Sequence, residues 1–534
     1  MNKPLKKIAF LVTLGTLASK LGGLSRQLVI AGCFGIGAAY DAYNYAYVIP
    51  GFFLILLGGI NGPFHNSMVS ILSKKNKAES SYILSSISTI VSLFLIITTI
   101  ILILAADPII HLIAPGLDQT THDIAVIQTK IMAPIAILAG LIGLSFGSLN
   151  AKNEFLIPSI SPLISSVFII IFVGIFWLKN LDQLSIIDLQ LKGGIILAAA
   201  TLIGAIFQLI IQIPALNKNG IKPYLKLDLN HPGVKELLRV IIPATLSTGM
   251  LQINVFTDLF FASNIVGAAA ALTYANFIVQ TPLGIASNAL LIPLLPTFSK
   301  LTKPKDRSLL IKRIEQGLIL TISSMVILGA LFIALGEPIV SLIYERGAFN
   351  EEAVKIVKSL LIAYGIGMPA YLARDLLVRV FYSLGDAVIP FKISSVGIIF
   401  NIIFDWLLVG GPSPWGNQSP FNYGISGIVL ATAAINFLAC ILLLFALNRK
   451  LISIPLLKWC INIFKILLAG VISGVLASFI CAKISYYNDL MESILKVFIP
   501  SIISFISYIL ICNLMEIKEI NDLTRIFNLK LLGR

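Results

Sequence analysis

Runs of twenty or more largely apolar residues follow one another along the chain, parted by short polar breaks. A helix needs about 20 such residues to cross the hydrocarbon core of a bilayer. Unpaired backbone groups are costly in lipid, so runs of this length predict helices. Barrel strands would be shorter and would alternate polar with apolar positions. Fourteen spans are predicted, over residues 8–34, 41–72, 81–106, 122–149, 155–178, 191–216, 235–263, 267–297, 312–336, 352–384, 388–410, 422–447, 461–482 and 493–515. The fold class that follows is an all-α polytopic membrane protein.

Composition fits this reading. The 534 residues are 57% hydrophobic and 12% charged, against roughly 25% charged in soluble domains. The formal net charge of +14 is spread over short loops and forms no single patch. It reads as basic loops against an anionic cytoplasmic leaflet, with no nucleic-acid partner. With the amino terminus inside, the inner loops hold Lys74, Lys75, Lys77, Lys152, Lys218, Lys222, Lys226 and Lys235 in the first half. In the second half they hold Lys300, Lys303, Lys305, Arg307, Lys312, Arg313, Arg449, Lys450 and Lys458, and the tail adds Lys518, Arg525, Lys530 and Arg534. The outer segments 107–121, 264–267 and 411–421 have no Lys or Arg, and the 337–358 loop balances Arg346, Lys355 and Lys358 against four glutamates. Both termini are therefore expected in the cytoplasm. Met1 to Lys7 and the apolar stretch behind them look like a signal peptide, but Lys20 and Arg26 interrupt it and no small-residue cleavage site follows, so an uncleaved first span is expected. The five cysteines (33, 440, 460, 481 and 512) form no CxxC pair and are expected to pack as small hydrophobes.

The two halves of the chain resemble each other. Asp107-Pro108-Ile109-Ile110-His111-Leu112-Ile113 returns as Glu337-Pro338-Ile339-Val340-Ser341-Leu342-Ile343, 230 residues later. Phe146-Gly147-Ser148-Leu149, Ile157-Pro158 and Ser165-Ser166-Val167 return as Phe381-Tyr382-Ser383-Leu384, Ile389-Pro390 and Ser394-Ser395-Val396. Gly37-Ala38-Ala39 returns as Gly267-Ala268-Ala269. The offset covers six spans, an even number, so both copies cross in the same sense. Two parallel six-helix lobes are expected, over 1–230 and 231–450, with two further helices and a tail in 451–534. Such proteins hold substrate between the lobes and rock about it.

Polar groups inside spans mark where that substrate would sit, because a charge at mid-bilayer costs about 2.5–3.5 kcal/mol on insertion scales. Lys20 and Arg26 lie in the first span, and Asp41, Asn44, Asn61 and His65 in the second. Gln252, Asn254 and Asp258 lie in the seventh, Asn276 and Gln280 in the eighth. The tenth has Arg374, Asp375 and Arg379; the eleventh has Lys392 and Asp405. Asn254 and Asp258 share a helix face, as do Asp375 and Arg379, which are spaced to pair and leave Arg374 free. The candidate binding residues are Lys20, Arg26, Asp41, Asn44, Asn254, Asp258, Asn276, Arg374 and Arg379. Competing structural roles are interhelical bonding for the amides, snorkelling for Asp41, Lys392 and Arg379, and a satisfied core position for His65. No P-loop, HExxH, GxSxG or aspartate-rich diphosphate–metal pattern occurs, and the four histidines are scattered. No cofactor and no enzymatic activity are expected.

The stretch Ser19-Lys20-Leu21-Gly22-Gly23-Leu24-Ser25-Arg26, with Phe34-Gly35, Asp41-Ala42 and Ile49-Pro50, resembles the opening of the MurJ (MviN) lipid II flippases. Gln252-Ile253-Asn254 with Asp258, Ala114-Pro115-Gly116, Arg346-Gly347-Ala348-Phe349 and Phe381-Tyr382-Ser383 with Asp386 and Pro390 extend the resemblance over spans one to twelve. It implies a member of the multidrug/oligosaccharidyl-lipid/polysaccharide exporter superfamily that lies in the plasma membrane and moves lipid II, a disaccharide–pentapeptide on undecaprenyl diphosphate, to the outer leaflet by alternating access. It further implies drive from membrane potential or an ion gradient, cationic side chains holding the substrate's anionic groups, membrane lipids as neighbours, and a groove for the lipid tail in the last two helices. Arg26 and Asp41 keep the family's residue types; Lys20 stands where an arginine is usual, Leu54 and Ile55 where arginines are common, and Phe277 where another often sits. On that basis Arg374 and Arg379 are expected to help supply the cavity's charge. The alternative reading is a flippase or exporter of another polyprenyl-linked polysaccharide, or a small-molecule exporter of the same superfamily.

Overall fold

The computed structural model describes residues 5–521 apart from 60–61, 181–186, 251, 302, 411–420, 452–453, 486–488 and 518. Asn61, most of the 411–421 loop and the tail cations Lys518, Arg525, Lys530 and Arg534 fall outside the described residues. Among the described residues the regular structure is helical, with no strand.

In chain order the helices are α1 (Leu5–Phe34), α2 (Ala38–Leu56), α3 (Pro63–Leu72), α4 (Lys77–Leu104), α5 (Ala106–Ile113), α6 (Gln119–Met132), α7 (Ile135–Ala151), α8 (Leu156–Lys179), α9 (Ile187–Ile210) and α10 (Gln212–Lys218). They continue as α11 (Pro232–Met250), α12 (Ile253–Ala262), α13 (Ala268–Lys300), α14 (Arg307–Tyr344), α15 (Glu351–Ser383), α16 (Val388–Val409), α17 (Ile425–Leu451), α18 (Leu456–Lys483) and α19 (Asp489–Leu514). Among the described residues, ten helices are long and apolar enough to cross a membrane, or eleven when the α6–α7 pair, bent by 43°, counts as one span. The first, second and seventh predicted spans fall outside that set. They are the ones that carry Lys20 and Arg26, Asp41 and Asn44, and Gln252, Asn254 and Asp258.

Several predicted spans are broken in the structure. The second divides into α2 and α3 around Gly58-Gly59, and α3 restarts on Pro63, whose missing N–H is no loss at a first helical position. Asn76 starts α4 by accepting from the Glu79 amide, and Asp118 starts α6 by accepting from the Thr121 amide.

The chain forms two compact units, residues 1–270 with 346–350, and residues 271–345 with 351–534. In the first unit, α1 packs along α8, and α7 carries the break of the second span. A Cβ at Gly143 would lie 1.7 Å from the Leu57 carbonyl oxygen, so the bare backbone is what lets the two segments meet. The 221–230 segment runs extended along α4 in a distinctive way. The amides of Lys222, Tyr224 and Lys226 donate to the hydroxyls of Ser81, Ser85 and Thr89 at 3.0–3.2 Å. Two extended residues advance about 6.6 Å and four helical residues about 6 Å, so every second amide meets every fourth side chain. Tyr82 donates to Asp228 at the far end, and Leu225, Leu227 and Leu229 stay exposed.

In the second unit, α14 is the spine. It kinks at Leu335, three residues before Pro338, where proline removes a helical donor. Gly329 and Gly365 let α14 and α15 touch backbone to backbone; a Cβ on Gly329 would come within 2.4 Å of the Gly365 oxygen. Helix α19 is tied to α14 by the Tyr508 hydroxyl, 2.9 Å from Ser323 Oγ and 3.1 Å from its carbonyl oxygen.

The repeat read from the sequence reappears as repeated geometry. Ala105 and Leu335 interrupt their helices with nearly equal angles, φ −105 and ψ 21 against φ −120 and ψ 16. Asn153 (φ 62) and Gly385 (φ 73) make the same left-handed turn before α8 and α16.

Candidate functional site

The first unit gathers its polar groups where α1 faces α2. Arg26 is half-buried on α1, and its buried Nε has no hydrogen-bond partner. Tyr40, Tyr43 and Tyr47, three and four residues apart on α2, stack in a ladder with centroids 5.9 and 5.4 Å apart. All three lie within electrostatic reach of Arg26. Gln27 donates to the Tyr40 hydroxyl at 2.7 Å, and the Tyr43 hydroxyl is 3.0 Å from Thr201 on α9. A cation beside stacked phenols, partly desolvated, suits an anionic or sugar-bearing ligand better than a bare ion. The tyrosines were not picked out as site residues, although their spacing is a legible signal: positions 40, 43 and 47 share one helix face.

The other expected residues separate by environment. Lys20 is exposed on α1, six residues from Arg26 and so on a different face. Asp41 is buried, 2% exposed, and its oxygens accept from the amides of Gly267 (3.2 Å) and Ala270 (3.0 Å). It caps a helix start, where a carboxylate suits the free N–H groups and the dipole. Asn44 donates to the Tyr40 carbonyl at 2.6 Å. On α12, Asn254 and Asp258 are both half-buried, and the Asn254 side-chain oxygen is buried without a protein partner. Orphaned buried polar atoms are uncommon and point to water or ligand. Phe256, between them, meets Phe52 of α2 edge-on at 6.0 Å.

In the second unit, Asn276 is exposed on α13. Arg374 donates to Asn436 of α17 at 3.1 Å and to Ser394 of α16 at 3.5 Å. Those partners are neutral and fix the guanidinium, while the Asp375 carboxylate lies within electrostatic reach of both Arg374 and Arg379. Arg379 is half-buried one turn on. The expected Asp375–Arg379 pairing is not formed: no ion pair joins them among the described residues, and Asp375 stands exposed. Lys392 is exposed, whereas Asp405 is fully buried and accepts from Asn401. His65 is a buried histidine flanked by Asn66 (3.2 Å) and Asn150 (2.7 Å). Of the cysteines, 33, 440 and 512 are buried as expected, while Cys460 is exposed and Cys481 half-buried.

A family model described as "Lipid II flippase MurJ" matches residues 30–499. The chain is 44% identical over 526 residues to the probable lipid II flippase MurJ of Synechocystis sp., covering 97% of this chain and 96% of that one. Among solved structures, "Lipid II flippase MurJ, inward closed conformation" aligns with a TM-score of 0.74 at 24% identity, over 95% of this chain and 99% of that one. An inward-facing multidrug-resistance MATE transporter of the MOP superfamily aligns with a TM-score of 0.62 at 13% identity, over 81% and 94%. At those identities the two structures speak for the fold alone. A multi-span helical fold with half-buried cations inside its spans places the protein among the polytopic membrane transport proteins. Within that class, the chain belongs to the MurJ lipid II flippase family.

Proposed function

We propose that this protein carries lipid II from the inner to the outer leaflet of the plasma membrane by alternating access, with both termini in the cytoplasm. The observation that carries this reading is Arg26: half-buried on α1, its Nε unmatched, beside the stacked tyrosines of α2. A diphosphate or muramyl-peptide carboxylate supplies the acceptor that Arg26 Nε lacks, and Tyr47, the half-buried end of the tyrosine stack, gives a sugar ring a flat apolar face. Asn44, Asn254 and Asp258 add hydrogen-bonding capacity from α2 and α12, and within the second unit Arg374 and Arg379 are the cations proposed to meet substrate anions. Asp41 acts at one remove, by holding the 267–270 turn, and Lys20 and Asn276 offer exposed polar contacts. The orientation rests on the inner-loop excess of Lys and Arg.

Depletion of the protein in its host tests the substrate: lipid II should build up on the inner face and wall synthesis should stop. Undiminished lipid II outside would leave export of another polyprenyl-linked or small-molecule substrate on the same fold as the reading. The site is tested by complementation. Arg26→Ala is expected to abolish growth while the protein remains in the membrane at normal level, and Arg26→Lys to recover part of it. Full growth with Arg26→Ala removes Arg26 from the site.

A further inference from the structure

Beside the kink at Leu335, residues of α14, α15, α18 and α19 line a cavity of about 390 Å³ in the second unit. That volume is within the range of small-ligand sites, about 300–1,000 Å³. Its wall carries three carboxylates, Glu337, Glu345 and Glu492, and two ammonium groups, Lys358 and Lys496. Lys358 pairs with Glu337 at 2.6 Å, and Lys496 pairs with Glu492 one turn away. Serines 341, 478 and 493 also line the cavity. A second, apolar hollow of about 280 Å³ adjoins the first and shares Ala334 and Ser478 with it. It runs down the α15 side of α18, and Ile333, Ile366, Val471 and Val475 on its walls are 45–65% exposed.

We propose that these two hollows form one site for a membrane lipid with an uncharged sugar headgroup, the sugar in the polar cavity and an acyl chain in the groove. In a bilayer, an apolar groove on a helical face is filled by acyl chain. The polar end selects the headgroup. Both ammonium groups already face carboxylates, and Glu345 adds a third negative charge, so a lipid phosphate would displace an existing pair and meet net negative charge. A neutral polyol has no such conflict. Its hydroxyls donate to carboxylates, accept from ammonium groups, and do both with serines. This lipid is a resident partner of the fold and is distinct from lipid II, whose diphosphate the same charges disfavour. That the site opens to the outer leaflet follows only if the orientation proposed above holds.

Native mass spectrometry of the purified full chain, offered monohexosyl diacylglycerol, phosphatidylglycerol and phosphatidylethanolamine in equal amounts, tests the proposal without lipid II. The sugar lipid should be retained about tenfold over each phospholipid, the factor one hydrogen bond to a charged group supplies. Ser493→Trp, which fills the cavity, should remove the preference. Val471→Trp, on the exposed wall of the groove, should lower retention in a chain that folds normally. Equal retention of the three lipids, preference for a phospholipid, or an unchanged preference in Ser493→Trp overturns the proposal. Cys481 lines the cavity and separates the question of sidedness. In a Cys460→Ser chain, protection of Cys481 from a maleimide by the sugar lipid supports the site. Labelling by an impermeant maleimide from the cytoplasmic side alone would refute the orientation and leave the lipid site standing.

Discussion

At the residue scale, a charge within or beside a span is informative once its partners are known. The sequence singles out Asp41 and Arg26 equally, yet Asp41 is satisfied by two backbone amides while Arg26 Nε is not satisfied at all. Backbone donors leave no trace in a sequence, so that difference was not legible there, whereas the Tyr40–Tyr43–Tyr47 spacing was. Asp386, in the turn before α16, is a case outside the spans. Its carboxylate is bonded to Lys450 and accepts from the amides of Ile389 and Val388, and these contacts, Lys450 first, hold it below the usual carboxylate range. A folded value below the unfolded one, about 3.9, means its contribution is complete above that value and fades as pH falls through the folded one. Between pH 6 and pH 3, thermal unfolding of the solubilised protein should therefore lose less stability in Asp386→Asn than in the parent, read as a flatter fall of Tm with acid.

At the element scale, hydropathy placed α8, α15 and α16 to within a residue at each end, while α14 begins five residues earlier and ends eight residues later than expected. It read through the divisions between α2 and α3 and between α11 and α12, because the residues beside them are as apolar as those in a helix. What decides the break is contact. Gly143 of α7 accepts the turned chain at Leu57, and no pattern within the second span announces it. Gly143→Val should be among the more damaging single changes, at the upper end of the roughly 1–3 kcal/mol typical of overpacking because the obstacle is backbone. Gly23→Ala on α1, where a Cβ meets nothing within 4 Å, should leave stability unchanged or raise it by up to about 1 kcal/mol through helix propensity. Thermal unfolding in detergent distinguishes the two; a Gly143→Val chain as stable as the parent would remove the close approach.

At the scale of the whole molecule, the internal repeat has a counterpart at two places in the structure, the interrupted helices at Ala105 and Leu335 and the turns at Asn153 and Gly385. Short matches about 230 residues apart locate recurring kinks and turns that hydropathy cannot see. The paired turns also carry a substitution rule. Asn153 and Gly385 hold equivalent left-handed conformations with different residues, so Gly385→Asn should cost little. Gly385→Val, whose branched side chain resists that region, should cost about 1–2 kcal/mol. Equal Tm values for the two variants would count against the turn as described.

The amides of residues 222, 224 and 226 are fastened to hydroxyls on a helix, with no neighbouring strand involved. The stretch therefore has a parity. Inserting one residue just after Gly220 would slip its odd and even positions past each other and bring Pro223, which has no N–H, to the place where the Tyr224 amide meets Ser85. Inserting two would restore the pattern, so natural length changes in this stretch should come in pairs.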